Sequence, residues 1–112
     1  MRTIPAPEIA AAVARLCIRA NTLLPEDVDR ALELAQHTEP WPLAQETLGL
    51  LRQNQDLAWE RKLPICQDTG MACVFVELGQ EVHIDGDFEE AIHKGVRQGY
   101  GEGYLRKSIV AD

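Results

Sequence analysis

The chain has 112 residues, 46% hydrophobic and 26% charged, with 8 Gly and 6 Pro, which excludes a disordered, collagen-like or fibrous protein. Lys and Arg number 11 against 18 Asp and Glu, a formal charge of −7. That excludes a broad basic face for nucleic acid or an anionic membrane, but not a local cluster of donors for a small anion. No apolar run is long enough to cross a bilayer, and Arg2 is followed by no apolar signal core. Three cysteines, an odd number, are expected as free thiols in a reducing compartment, the cytoplasm by default. A chain of this length is expected to bury roughly two thirds of its unfolded surface.

The first third reads as helix. Pro5 and Pro7 precede Glu8, an acid suited to the positive end of a helix dipole. Ile9, Val13, Leu16, Cys17 and Ala20 follow at spacings of a one-sided helix. Pro25, Glu26 and Asp27 open a second helix with Val28, Ala31, Leu32 and Ala35 as its stripe. Glu39-Pro40-Trp41-Pro42 breaks it, because proline lacks an amide donor and restricts its predecessor. A third helix is predicted from about Leu43 to Arg61, with Thr47, Leu50, Leu51, Asn54, Leu57 and Ala58 on one side. Gly49 inside it costs about 1 kcal/mol of propensity.

At Leu63-Pro64 the pattern changes. Met71 to Leu78, with Val74-Phe75-Val76 continuous, predicts a strand covered on both faces. Gly79-Gln80 would turn it into a second, half-exposed strand, Glu81 to Ile84, and Asp85-Gly86 is a further turn. Asp87 followed by Glu90 is a capping pattern for a fourth helix with Phe88, Ile92 and Val96 as its stripe. That helix is expected to loosen at Gly99, Gly101 and Gly103, and Ser108-Ile109-Val110 to begin another apolar segment. The fold class is therefore α/β in the broad sense (α+β). Residues 5–62 are helical, and residues 63–112 are a small sheet with a packing helix. The whole is one domain over 1–112 and an incomplete part of a larger one, since so small a sheet is marginal alone.

Cys66 carries the first chemical interest. Leu63-Pro64-Ile65-Cys66-Gln67-Asp68-Thr69-Gly70 sets consecutive polar or ligating groups in a tight loop between Pro64 and Gly70. Loops on rigid scaffolds often carry reactive groups, and thiolate is the ligand type of iron–sulfur clusters. From spacing alone a small buried turn thiol is an equal reading. Cys17 and Cys73 fall within apolar patterns and read as core, and the Cys66–Cys73 spacing matches no zinc pattern. His37, His83 and His93 read as surface or structural. The glycines of Gly99-Tyr100-Gly101-Glu102-Gly103 follow a helical stripe rather than a strand, so they read as a flexible loop and not a phosphate site. Arg106-Lys107-Ser108 is a cationic group in an acidic chain, either a solvated patch or a clamp for a carboxylate.

The block Leu63 to Gly70, continued by Met71-Ala72, resembles the cluster-binding motif of class I (iron–sulfur) fumarate hydratases and the related tartrate dehydratases. A second block, Gly95-Val96-Arg97-Gln98-Gly99-Tyr100 through Leu105-Arg106-Lys107-Ser108-Ile109-Val110, resembles the same family in order and separation. The resemblance implies a hydro-lyase that adds water reversibly across the double bond of fumarate to give malate. It implies a 4Fe–4S cluster held by three cysteines, with one iron open as a Lewis acid. Cys66 would be one of the three ligands. Gln67 would hydrogen-bond the substrate, Asp68 would bind it and be the catalytic proton-transfer or orienting carboxylate, and Arg106 would pair with a substrate carboxylate. Thr69 and Gly70 would shape the loop.

Family α subunits are longer. They bring two further cluster cysteines downstream, with other substrate residues from a β subunit or C-terminal domain. This chain is thus expected to be the N-terminal part of an α subunit, holding no cluster and inactive alone. Its expected partners are the dicarboxylate, the remaining portion and the β subunit in an oligomer, with no nucleic acid or membrane. Two alternatives stand beside this: a tartrate dehydratase component, and a non-enzymatic acidic interaction domain that retains the family loop.

Overall fold

The structure is a computed structural model and describes residues 1–109. Strand β1 (Arg2–Pro5) leads directly into helix α1 (Ala6–Thr22). Helices α2 (Glu26–Thr38) and α3 (Pro42–Arg61) follow, then strand β2 (Val82–Asp85) and helix α4 (Phe88–Glu102). The class is α+β, as expected, and the helix boundaries follow the proline and acid signals. Pro7 lies in the first turn of α1 with Glu8, and Pro25 stands just before the acids that open α2. Pro42 occupies the first turn of α3. Asp87 accepts a hydrogen bond from the Glu90 N–H at 2.9 Å, as the capping pattern requires.

The sheet differs from expectation. β1 pairs with β2 in parallel, with Arg2 opposite Val82 and Ile4 opposite Ile84. The partner of β2 is therefore the N-terminus rather than the segment just before it. Only Thr3 and Ile4 in β1 are β-branched, and four residues are too few for an alternating pattern to register. The expected strand Met71 to Leu78 is not formed: residues 71–79 are irregular, and Phe75 is 94% exposed. A continuous apolar strand needs cover on both faces and a neighbour for its amides. No described strand lies beside it. Cys73, expected as core, is exposed for the same reason. The apolar segment expected at Ser108-Ile109-Val110 reaches Val110, which lies outside the described residues.

Helix α4 corrects a second expectation. It does not loosen at Gly99 or Gly101 but runs through both to Glu102 and ends, as expected, at Gly103. Its buried stripe is Ala91, Gly95, Gly99 and Tyr100, one position round from Phe88, Ile92 and Val96, which are half-buried. The glycines are there for close approach to α1. A Cβ on Gly95 would stand 2.5 Å from the Ala10 carbonyl oxygen, and one on Gly99 would stand 2.7 Å from that of Ala14. Small residues on both helices bring the two backbones together, and Ala10, Val13 and Ala14 are buried against α4.

Helices α2 and α3 form a separate hairpin joined by polar contacts. Arg52 Nη1 donates to Gln36 Oε1 at 3.1 Å and pairs with Glu33, while Gln55 Nε2 donates to Asp29 Oδ1 at 2.9 Å. The accessible surface is 8583 Å², against roughly 18,000 Å² for an unfolded chain of this mass. The described body thus buries roughly half of its surface, not two thirds. Its radius of gyration, 17.8 Å, exceeds the value of about 13 Å typical of a closed domain near this length. Two helix pairs, α1 with α4 and α2 with α3, that touch each other little, together with an uncovered apolar segment, account for both figures.

Because the Gly95 site has no room, Gly95→Ala is expected to cost about 1–3 kcal/mol in urea unfolding followed by helical circular dichroism. Gly101 faces open space, so Gly101→Ala in the same experiment should gain up to about 1 kcal/mol from helix propensity.

Candidate functional site

The loop bearing Cys66 begins where α3 is made to stop. Lys62 adopts a left-handed conformation (φ 54°), and the Leu63 N–H reaches back to the Ala58 carbonyl at 3.0 Å, the bond that closes a helix and reverses the chain. Lys62 Nζ lies 3.1 Å above the Trp59 ring, a cation–π contact at the same corner. Ile65 is then held from two sides. Its N–H donates to the Asn21 carbonyl at 2.9 Å, and its carbonyl accepts from Asn54 Nδ2 at 2.7 Å. Asn21 is itself anchored, its Nδ2 donating to the Cys17 carbonyl at 2.8 Å.

The far end of the loop is held by α4 and the chain beyond it. The Thr69 hydroxyl donates to the Arg106 carbonyl at 2.7 Å, and the Tyr100 hydroxyl donates to the Thr69 carbonyl at 3.3 Å. Gly70 has φ +59°, a region glycine enters without a Cβ penalty, and from there the chain leaves for the apolar segment. Between these anchors Cys66, Gln67 and Asp68 are all exposed. The Cys66 thiol donates to the Asp68 carbonyl at 3.3 Å, and Asp68 Oδ1 accepts from the Gly70 N–H at 3.2 Å. A thiolate could not donate the first of these, so a metal-bound Cys66 would release that contact.

Arg106 is exposed and, among the described residues, makes no ion pair. Its main chain is joined to the loop through Thr69, so three helices and one backbone turn bring the two sequence blocks together. The helical reading of α3 placed Asn54 on its apolar side, and a lone amide there was the available signal for its anchoring role. Asn21 and Tyr100 gave no such signal. Cys17 and Cys73 line a cleft of about 320 Å³ with Tyr100, Thr69, Met71 and Phe75, and Cys66 is not among its walls. The three histidines are exposed. His37 Nδ1 lies 2.8 Å from the Glu33 carbonyl, and His93 lies 3.6 Å from Glu89.

Among the described residues no group of three His, Cys, Asp or Glu side chains could hold a metal ion. A single exposed thiol on an anchored loop fits one donor of a thiolate-held cluster, not a whole ligand set. No helix among those residues is long and apolar enough to cross a membrane.

An exposed thiol–amide–carboxylate loop is thus tied through Thr69 to the main chain of an arginine-bearing turn. The family model described as fumarate hydratase (Fumerase) matches residues 10–112, and the chain belongs to that family. It is 34% identical over 105 residues to a putative L(+)-tartrate dehydratase subunit alpha of Methanocaldococcus jannaschii, an alignment covering 92% of this chain and 37% of that protein. It is 31% identical over 97 residues to a putative fumarate hydratase class I of Geobacillus stearothermophilus, covering 86% of this chain and 19% of the relative. With the anaerobic class I fumarate hydratase of Escherichia coli K12 it shares 43% identity over 56 residues, half of this chain and 10% of that enzyme. The chain thus spans about a third or less of these relatives. They give no support to the non-enzymatic alternative.

Tyr100 links the site to pH. Burial raises the pKa of its phenol, and the nearby thiols of Cys17 and Cys73 add to the rise; burial also raises that of Cys17. A raised folded pKa means the folded state holds its protons longer, so stability is full below the unfolded values and falls as pH climbs towards the folded ones. Stability should therefore decline above about pH 8.5–10, the ordinary range of these groups. Tyr100→Phe should flatten the upper part of that decline while costing about 1 kcal/mol at neutral pH for the lost hydrogen bond to Thr69. Urea titrations across the pH series measure both.

Proposed function

We propose that the chain is the N-terminal part of the α subunit of an iron–sulfur hydro-lyase that interconverts fumarate and malate. The observation that carries this reading is the anchored loop. Cys66, Gln67 and Asp68 stand exposed between fixed ends, and one of those ends is bonded to the main chain of Arg106. When bound, a 4Fe–4S cluster would supply Lewis acidity, with Cys66 as one of its three thiolate donors and two others from the polypeptide that completes the enzyme.

The remaining roles belong to this chain's own side chains. The Arg106 guanidinium pairs with one carboxylate of the substrate in two parallel hydrogen bonds, fixing the dicarboxylate's direction. The Gln67 amide bonds a substrate oxygen. Asp68, an acceptor when ionised, orients the substrate or moves a proton at the carbon chain. An acidic protein gains an anion site in this way from a local donor cluster, without a basic face. The β subunit or C-terminal domain supplies the other substrate contacts. The working assembly is an oligomer in the cytoplasm.

Tartrate dehydration is the second reading, favoured by the relative that aligns over 92% of the chain, a putative tartrate dehydratase α subunit. Turnover of fumarate, malate and L(+)-tartrate by the completed enzyme separates the two.

In that enzyme Cys66→Ser should remove the brown colour and the activity together. Normal iron content in the variant rules out the ligand role. Arg106→Ala should raise KM for the dicarboxylate by about 100-fold or more, the cost of a charged hydrogen-bonded pair. An unchanged KM rules out the carboxylate role.

A further inference from the structure

We propose that Thr69 is a positioning residue for the Arg106 guanidinium, its hydroxyl setting where that group stands relative to the Cys66–Asp68 loop. This rests on the hydro-lyase reading, in which Arg106 binds a substrate carboxylate. Three hydrogen bonds close a ring between segments far apart in sequence. The Thr69 hydroxyl donates to the Arg106 carbonyl at 2.7 Å. The Leu105 N–H donates to the Tyr100 carbonyl at 3.1 Å, and the Tyr100 hydroxyl returns to the Thr69 carbonyl at 3.3 Å. Leu105 and Tyr100 are 5% and 8% exposed, so this ring is rooted in the small core rather than in mobile surface chain.

The Arg106 carbonyl accepts a second bond, from the Ser108 N–H at 3.1 Å. The main chain on the C-terminal side of Arg106 is thereby held by a side chain from the reactive loop and by its own turn. The Arg106 side chain, exposed and unpaired among the described residues, is left free at the end of a fixed backbone. Geometric constraint of this kind matters because a charge-assisted pair with a carboxylate weakens once its donor is displaced from bonding distance and angle. Among the described residues, Thr69 is the one loop side chain that bonds the Arg106 segment. A hydroxyl is what the position requires: valine has the same shape and no donor, serine the same donor and less bulk.

The test is a double-mutant cycle in the completed enzyme. Four quantities are read: iron per chain, KM, kcat, and the Kd of succinate, a saturated dicarboxylate that cannot be hydrated. Thr69→Val should raise KM and the succinate Kd about tenfold, with kcat and iron content close to wild type, and Thr69→Ser should restore both constants. Arg106→Ala should weaken succinate more strongly. Adding Thr69→Val to it should weaken binding no further, because the group being positioned is gone.

The proposal is overturned if Thr69→Val binds succinate normally, if its effect multiplies with that of Arg106→Ala, or if Thr69→Ser fails to restore affinity. Lost iron in Thr69→Val likewise overturns it by assigning the hydroxyl to the thiol loop instead. If Arg106→Ala leaves the succinate Kd unchanged, the carboxylate role fails and positioning fails with it. If Arg106→Ala acts as expected and Thr69→Val is inert, positioning alone fails.

Discussion

The crossing of α4 over α1 is the constraint on which the rest depends. Two glycines one turn apart let the α4 backbone come to rest on the carbonyls of Ala10 and Ala14, a distance no other residue permits without moving a helix. Tyr100, the next residue after Gly99, then lies against α1 with its hydroxyl over the Thr69 carbonyl. The chain beyond it brings Arg106 to the same loop. A wider crossing would separate these contacts. The packing of two helices and the spacing of the candidate site are consequently one geometric fact.

The site shows a division of labour between anchors and free groups. Anchoring falls to Asn21, Asn54, Thr69 and Tyr100, none of which carries a charge, and each bond joins the loop to a different part of the chain. Cys66, Gln67, Asp68 and Arg106 remain exposed. Neutral hydrogen bonds place the loop without engaging its exposed thiol and carboxylate or the Arg106 guanidinium in ion pairs among the described residues. The net charge of −7 is compatible with this arrangement, because the Arg106 guanidinium, unpaired among the described residues, acts at contact range, whereas exposed charges more than a Debye length away are screened. The segment 71–79, by contrast, has apolar side chains with no described cover, Phe75 the most exposed of them.

The helices were readable because their signals are local. Proline before acid, an Asp cap and a periodic stripe require only neighbours in sequence, and α1, α2, α3 and the start of α4 follow them. The two blocks that carry the family resemblance were readable for the same reason, since a loop sequence and an arginine turn are each contiguous. The misreadings have the opposite character. Gly99 and Gly101 look like helix breakers in one dimension, yet Gly99 serves contact with α1, more than 80 residues earlier in the chain. The stretch Met71 to Leu78 has a strand's composition, but a strand exists only with a neighbour to receive its hydrogen bonds.

By itself the sequence determined the helices, the Asp87 cap of α4 and the residue types available for chemistry, because each depends on composition or on spacing within a few residues, and its two motif blocks carried the resemblance to the family. Only the tertiary structure decided that β2 pairs with the first residues of the chain, that Cys73 is exposed rather than buried, and that Thr69 and Tyr100 join the loop to Arg106. These outcomes turn on which distant segments come close enough to share a hydrogen bond, and one-dimensional patterns hold no measure of that distance.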